Sequence, residues 1–175
     1  MDSVYKKSRC FGYIFCIQII LLLCACSGES PPTQPVNPAA DTVCMLDGMS
    51  LADYPGPKAQ IFYGNEPPAY FCDTVEMFAM VIGPERRRQI RAVYTQDMAK
   101  TDWDHPQGHW IDARTAFYVA GSQKKGSMGP TFASFANRSD AETFAGKFGG
   151  KVLTFSEITP DMADLRGGAA HDTTM

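Results

Sequence analysis

The chain has 175 residues, a formal net charge of −3 and six cysteines. That length suits one compact domain. A mildly acidic chain with no basic stripe is a poor match for nucleic acid, so a partner of that class is not expected.

Lys6, Lys7 and Arg9 precede an apolar stretch over residues 11–23 that only Gln18 interrupts, and the stretch closes on Leu23-Cys24-Ala25-Cys26. A charged start, an apolar run too short for a settled membrane span and small residues before a cut describe a signal peptide over residues 1–25. The alternative is a short anchor that is never cleaved. Leu23, Ala25 and Cys26 resemble a bacterial lipobox, which implies a diacylglyceryl thioether on Cys26 and an attachment to the membrane through it. Cys24 is the rival cut site, but bulky Leu23 would stand just before that cut. Ser27 in place of Asp after the lipid cysteine points, by resemblance to sorting signals, to the outer membrane. Cleavage leaves 150 residues, and because residues 1–25 carry a net +2 the remainder is near −5.

Residues 26–42 are rich in Ser, Pro, Thr, Asn and Ala with no apolar period, and read as a flexible tether. Residues 166–175, with their Gly-Gly-Ala-Ala run, read as a disordered tail. The folded domain is therefore expected over 43–165. Within it the same order of elements occurs twice. Residues 59–63 and 69–72 read as strands around a Gly64-Asn65 turn. Asp73 and Glu76 have capping-box spacing, and Val75, Phe78, Ala79 and Ile82 give the following helix an apolar face. Gly83-Pro84 stops it, and 90–94 resumes as a strand. The second half repeats the plan: strands at 116–120 and 132–135 flank a Gly/Ser/Lys-rich loop over 121–129. Ser139 caps a helix with Ala141, Phe144, Ala145 and Phe148 inward, and a strand follows at 152–155. The expected fold is α+β: two tandem ββαβ units, about 58–95 and 114–155, forming small sheets each covered by a helix. A segment over 97–112, rich in Trp, His, Asp and Pro, links them.

Once Cys10, Cys16 and Cys24 leave with the signal and Cys26 takes lipid, Cys44 and Cys72 remain. Outside the cytoplasm two cysteines commonly pair. Yet Cys72 ends the apolar run Tyr70-Phe71-Cys72, where a free thiol behaves as a small hydrophobe, whereas Cys44 lies in the polar segment Cys44-Met45-Leu46-Asp47-Gly48-Met49. Thiolate and thioether donors are soft and select copper(I). Gly48 has the freedom for a turn bringing Cys44 and Met49 to one point. Met128, between glycines in Gly126-Ser127-Met128-Gly129, has no period that would place it in a core. Cys44, Met49 and Met128 are thus the candidate metal ligands. Met45, Asp47, His105 and His109 are secondary candidates; Asp47 serves a turn as readily as a metal, and the histidines read as ordinary loop residues. Met77 and Met80 read as core filler. CxxC, HExxH, Gly-x-Ser-x-Gly and a phosphate-binding glycine loop do not occur, so an enzyme is not expected. A second reading is an interaction module with a Cys44–Cys72 disulfide and no metal.

Cys44-Met45-Leu46-Asp47-Gly48-Met49 followed by Asp53-Tyr54-Pro55-Gly56-Pro57-Lys58-Ala59-Gln60-Ile61 resembles the opening of the NosL family. Val93-Tyr94-Thr95-Gln96-Asp97-Met98, Asp102-Trp103, Trp110-Ile111-Asp112-Ala113, 116–122 and Ser127-Met128-Gly129 are similar to the same family. The resemblance covers about residues 43–158. It implies an accessory lipoprotein of denitrifiers that carries copper(I) to nitrous-oxide reductase for its copper–sulfide centre, built on a ββαβ repeat. Some members carry a second cysteine just before the Gly-Met pair; Asp47 stands there in this chain, which leaves Cys44 as the thiolate of that motif.

Overall fold

The computed structural model describes residues 33–83 and 88–165. The segment expected to be a signal peptide, Cys26 and the segment expected to be a tail, residues 166–175, lie outside them. The architecture is α+β, as expected. Strand β1 (Ala59–Tyr63), β2 (Ala69–Phe71), helix α1 (Thr74–Ile82) and β3 (Ile90–Gln96) form the first unit. Then come β4 (Trp110–Asp112), β5 (Phe117–Ala120), β6 (Lys125–Gly126), β7 (Gly129–Pro130), β8 (Ala133–Phe135), α2 (Arg138–Phe148) and β9 (Lys151–Thr154). The first sheet is antiparallel in the order β2-β1-β3-β4 and the second in the order β8-β5-β9, with β6-β7 a separate hairpin. In both units the first strand lies in the middle, between the second and the strand after the helix. The architectural repeat is therefore real, with β4 added to one edge and the hairpin inserted in the other unit's first loop.

The alternation of side chains explains the layers. Along β1, Ala59, Ile61 and Tyr63 enter the main core with Met77, Phe78 and Val81 of α1, and Tyr118, Phe132 and Leu153 of the second unit join them. Phe78 sits edge-on to Tyr118 at 4.9 Å and to Phe132 at 5.3 Å between ring centres. Each such aromatic contributes about 1.5–3 kcal/mol by burial. Phe117, Val119 and Val152 face the other way, into a second core with Phe135 of β8 and with Ala141 and Phe144 of α2. Helix α1 is thus covered from both sides, and α2 from one.

The inward face of α1 differs from the expected one. Thr74, Glu76, Met77, Phe78 and Val81 are buried, whereas Val75, Ala79 and Ile82 are only half-buried. Two polar residues rotate the helix: Thr74 donates to the Phe132 carbonyl at 2.7 Å, and Glu76 turns toward the cysteines. Met77 is core filler, and Met80 packs against that core. Helix α2 presents Ala141, Phe144 and Ala145 as expected, but it starts at Arg138 with Asn137 as its cap, ahead of the expected Ser139.

Of the segment read as a tether, residues from Thr33 onward are docked on the first sheet's outer face. Val36 exchanges hydrogen bonds with the Gln60 amide at 2.9 and 3.2 Å and accepts the Tyr70 hydroxyl at 2.9 Å. Tyr94 reaches the Thr33 carbonyl, and the Trp110 indole N–H donates to Asn37 at 2.8 Å. Gln60, which points away from the core, is fully buried by this strap. Among the described residues no helix is long and apolar enough to cross a membrane.

Candidate metal centre

The opening segment closes on itself before it meets the sheet. Cys44 N–H donates to the Met49 carbonyl at 2.8 Å, and Gly48 N–H to the Cys44 carbonyl at 3.0 Å. Gly48 takes φ of +76°, which a residue with a Cβ rarely adopts. Asp47 accepts the Met49 N–H at 3.0 Å, so its carboxylate shapes the turn. Met45 N–H then donates to the Tyr70 carbonyl at 2.8 Å, laying the segment along β2.

That pairing brings together two cysteines that the sequence reading kept apart. Cys72 follows β2 directly, and its thiol lies 3.6 Å from the Met49 carbonyl. The sulfurs of Cys44 and Cys72 and a carboxylate oxygen of Asp47 all lie within 4.8 Å of one another, the one such His/Cys/Asp/Glu grouping among the described residues. Both cysteines are free thiols, so the alternative of a Cys44–Cys72 disulfide is not what the structure holds. Cys44, Cys72 and Leu51 form a small buried cluster against which Met49, Tyr54 and Tyr70 pack.

Glu76 lies beneath this cluster, fully buried. Its Oε2 accepts the Cys72 N–H at 3.1 Å and the Cys44 thiol at 3.2 Å, while Oε1 has no hydrogen-bonding partner among the described residues. The expected capping box is therefore displaced by one residue: Asp73 caps α1 by accepting Val75 N–H at 2.9 Å, and Glu76 reaches back to Cys72. The Cys72 thiol, hydrogen-bonded to Cys44, holds the Cys44 thiol down to about 6. The same bond, with burial, pushes Cys72 up. Burial, then the bond to Cys44, pushes Glu76 up to about 8. Lys58 completes the surroundings. Its ammonium is almost fully buried and donates to the carbonyls of Tyr54, Pro55 and Cys72 at 2.7, 3.1 and 3.1 Å.

Met128 belongs to the tip of the β6–β7 hairpin and is 53% exposed. The hairpin is fastened to Asp73, the residue after Cys72: Ser127 N–H donates to Asp73 Oδ2 at 3.2 Å, and the Thr131 hydroxyl to Oδ1 at 2.7 Å. The two segments carrying the sequence candidates thus converge on neighbouring residues, Cys72 and Asp73. His105 is elsewhere: it lines a cleft of about 530 Å³ with Asn37, Gln96 and Gly108 that borders the cluster only through Leu51 and Lys58. The sequence reading missed Glu76 as a site residue and underrated Cys72. The signal available was Glu76 in the first turn of a helix, four residues after Cys72.

The buried carboxyls give the metal-free fold a distinctive pH response. Burial pushes Asp73 up to about 6 and, as its largest cause, Glu76 to about 8. Between pH 4.5 and 6 their unfolded counterparts have largely ionised while the folded ones keep their protons. The unfolded chain then binds fewer protons, so stability falls as pH rises across that window. Cys44, held down to about 6, begins to offset this only above it. The melting temperature of the metal-free protein is expected to drop from pH 4.5 to 6, and the drop to shrink in Glu76→Gln. A melting temperature that climbs over that interval contradicts the assignment.

A family model described as NosL matches residues 35–163. The copper-binding lipoprotein NosL of Stutzerimonas stutzeri is 36% identical over 169 residues, covering 92% of this chain and 88% of that protein. Its counterpart in Achromobacter cycloclastes is 36% identical over 156 residues, covering 86% and 81%. The crystal structure of the copper chaperone NosL from Shewanella denitrificans superposes with a TM-score of 0.71 at 37% identity, covering 75% of this chain and 99% of that one. These relatives are named for binding copper, not for catalysis.

Proposed function

The chain belongs to the NosL family, and from that premise we propose that it is a lipoprotein that binds copper(I) outside the cytoplasm and delivers it to nitrous-oxide reductase, for assembly of that enzyme's copper–sulfide centre. The observation that carries this reading is the pair of free sulfurs, Cys44 and Cys72, held with Asp47 within 4.8 Å. Soft sulfur donors suit a soft monovalent ion, whereas Asp47 is a hard donor already used by the turn.

In this reading Cys44 supplies the strong anionic bond. Met49, half-buried beside it, and Met128, on the exposed hairpin tip, supply neutral thioethers. Copper is cargo: it enters and leaves by exchange of ligands, with no change of oxidation state. The weaker thioether bonds open first, and a sulfur or nitrogen of the client takes their place. Cys26 carries the lipid that holds the protein at the periplasmic face of a membrane, the outer membrane by the sorting signal at Ser27.

The test uses protein extracted from membranes. Mass analysis of the N-terminal peptide is expected to find lipid on Cys26. Titration against a copper(I)-specific chelator is expected to give tight one-to-one binding, and incubation with copper-depleted nitrous-oxide reductase to restore its catalytic centre. Tight binding without transfer would sink the delivery role; no tight binding would sink the whole reading.

A further inference from the structure

We propose that Cys72 is a second thiolate ligand, so that copper(I) is held between Cys44 and Cys72 as a bis-thiolate of net charge −1, balanced by the buried ammonium of Lys58. This rests on the copper reading above and deepens it.

Three observations point to it independently of the methionines. The first is distance. Two sulfurs bound to one metal ion at roughly 2.3 Å each stand about 4.6 Å apart when opposed, and closer when bent. The two thiols lie within 4.8 Å without being joined. An ion needs no rearrangement of the backbone to bridge them.

The second is charge. Lys58 is 2% exposed, is caged by three carbonyl oxygens, and forms no salt bridge among the described residues. A buried cation without a partner is costly. Its ammonium lies against the Cys72 carbonyl, and its field acts on Cys72 first, then on Asp73, Glu76 and Cys44. A single thiolate with a monovalent ion is neutral and adds no charge opposite Lys58, which then faces only the nearby carboxyls of Asp73 and Glu76. Two thiolates with that ion place a negative charge beside it.

The third is the unpaired oxygen. Among the described residues Glu76 Oε1 is buried without a partner, while Oε2 holds the Cys44 thiol and the backbone of Cys72. One carboxyl thus ties the Cys44 side chain to the backbone that carries Cys72. Loading forms two Cu–S bonds: Cys72 gives up its S–H proton to solvent, Cys44 binds as the thiolate it already largely is near neutral pH, and copper remains copper(I) throughout.

The arrangement grades the donors from inside to outside. Cys72, fully buried, and Cys44, nearly so, grip the ion from the protein side. Met49 is half-buried and Met128 exposed, so a client's ligands reach these donors first.

The experiment is X-ray absorption at the copper edge on full-length protein in which methionine is replaced by selenomethionine, loaded with one equivalent of copper(I). Sulfur neighbours then report cysteine and selenium neighbours report methionine. Two sulfurs are expected; one sulfur overturns the proposal, whatever the selenium count. In parallel, Cys72→Ala is expected to weaken copper(I) binding at least a hundredfold in chelator competition. That is at or beyond the upper end of the roughly 10–100-fold typical of losing a supporting outer group. If Cys72→Ala and the parent bind alike, Cys72 is no ligand, and the copper reading through Cys44 stands. If the parent itself binds no copper(I), both fall together.

Discussion

Cys44→Ala is expected to lose tight copper(I) binding altogether. Two candidate donors meet this residue, Met49 through the turn and Cys72 through the sulfur pair, and Glu76 accepts its thiol at 3.2 Å. Removing it also removes the bond that pushes Cys72 up most, but leaves Cys72 as a single, fully buried thiol beside neutral thioethers. Thioethers alone are weak donors for a cation. The fold should persist, because truncating a small buried side chain costs about 1 kcal/mol or less of packing and the turn is held by backbone bonds. Met128→Ala is the graded counterpart. It removes an exposed side chain from a hairpin tip, so it should weaken binding with no change in the metal-free melting temperature. Chelator competition and thermal melts of both variants measure the two effects separately. Parent-like affinity in Cys44→Ala would place the copper elsewhere in the molecule, and parent-like affinity in Met128→Ala would remove Met128 from the ligand set.

Local chemistry in this chain was legible where one short segment decides it. The strand Ala59–Tyr63 declares itself by composition, Asp73 by its acceptor before a helical run, and Gly48 by the turn it permits between Cys44 and Met49. The repeat could be read because both units order the same elements. What escaped the sequence is what depends on packing between segments. Periodicity alone puts Val75, Phe78, Ala79 and Ile82 inward. Thr74 and Glu76 find buried partners, however, and rotate α1 toward Met77 and Val81. Cys72 reads as a strand-end hydrophobe until the opening segment pairs with Tyr70 and carries Cys44 to it. Strand β4 has only Trp110, Ile111 and Asp112, too few to show a period, and exists because it pairs with the edge of β3. Polar residues 33–42 have no period at all, and only Gln60, Tyr70, Tyr94 and Trp110 across the sheet give them a place to dock.

Gly126→Ala is expected to separate the hairpin from the thiol site. A Cβ on Gly126 would stand 1.9 Å from Asp73 Oδ2 and 2.9 Å from Thr131 Cβ. Asp73 cannot swing aside cheaply, because it is fixed at the helix cap by Val75 and across the units by Ser127 and Thr131. Either the hairpin lifts away, or the cap breaks. Overpacking of this kind costs about 1–3 kcal/mol, and loss of the cap adds about 1 kcal/mol more. Asp73 directly follows Cys72, so a displaced hairpin carries Met128 away from the corner where the opening segment is held. The variant should therefore show a lower metal-free melting temperature and a copper(I) affinity reduced at least as far as in Met128→Ala. Combining Gly126→Ala with Met128→Ala separates the causes. If the hairpin matters to copper only through Met128, the double variant binds no more weakly than Gly126→Ala alone. A Gly126→Ala protein that melts well below the parent yet binds copper(I) with parent affinity would show that the hairpin serves the fold and not the site.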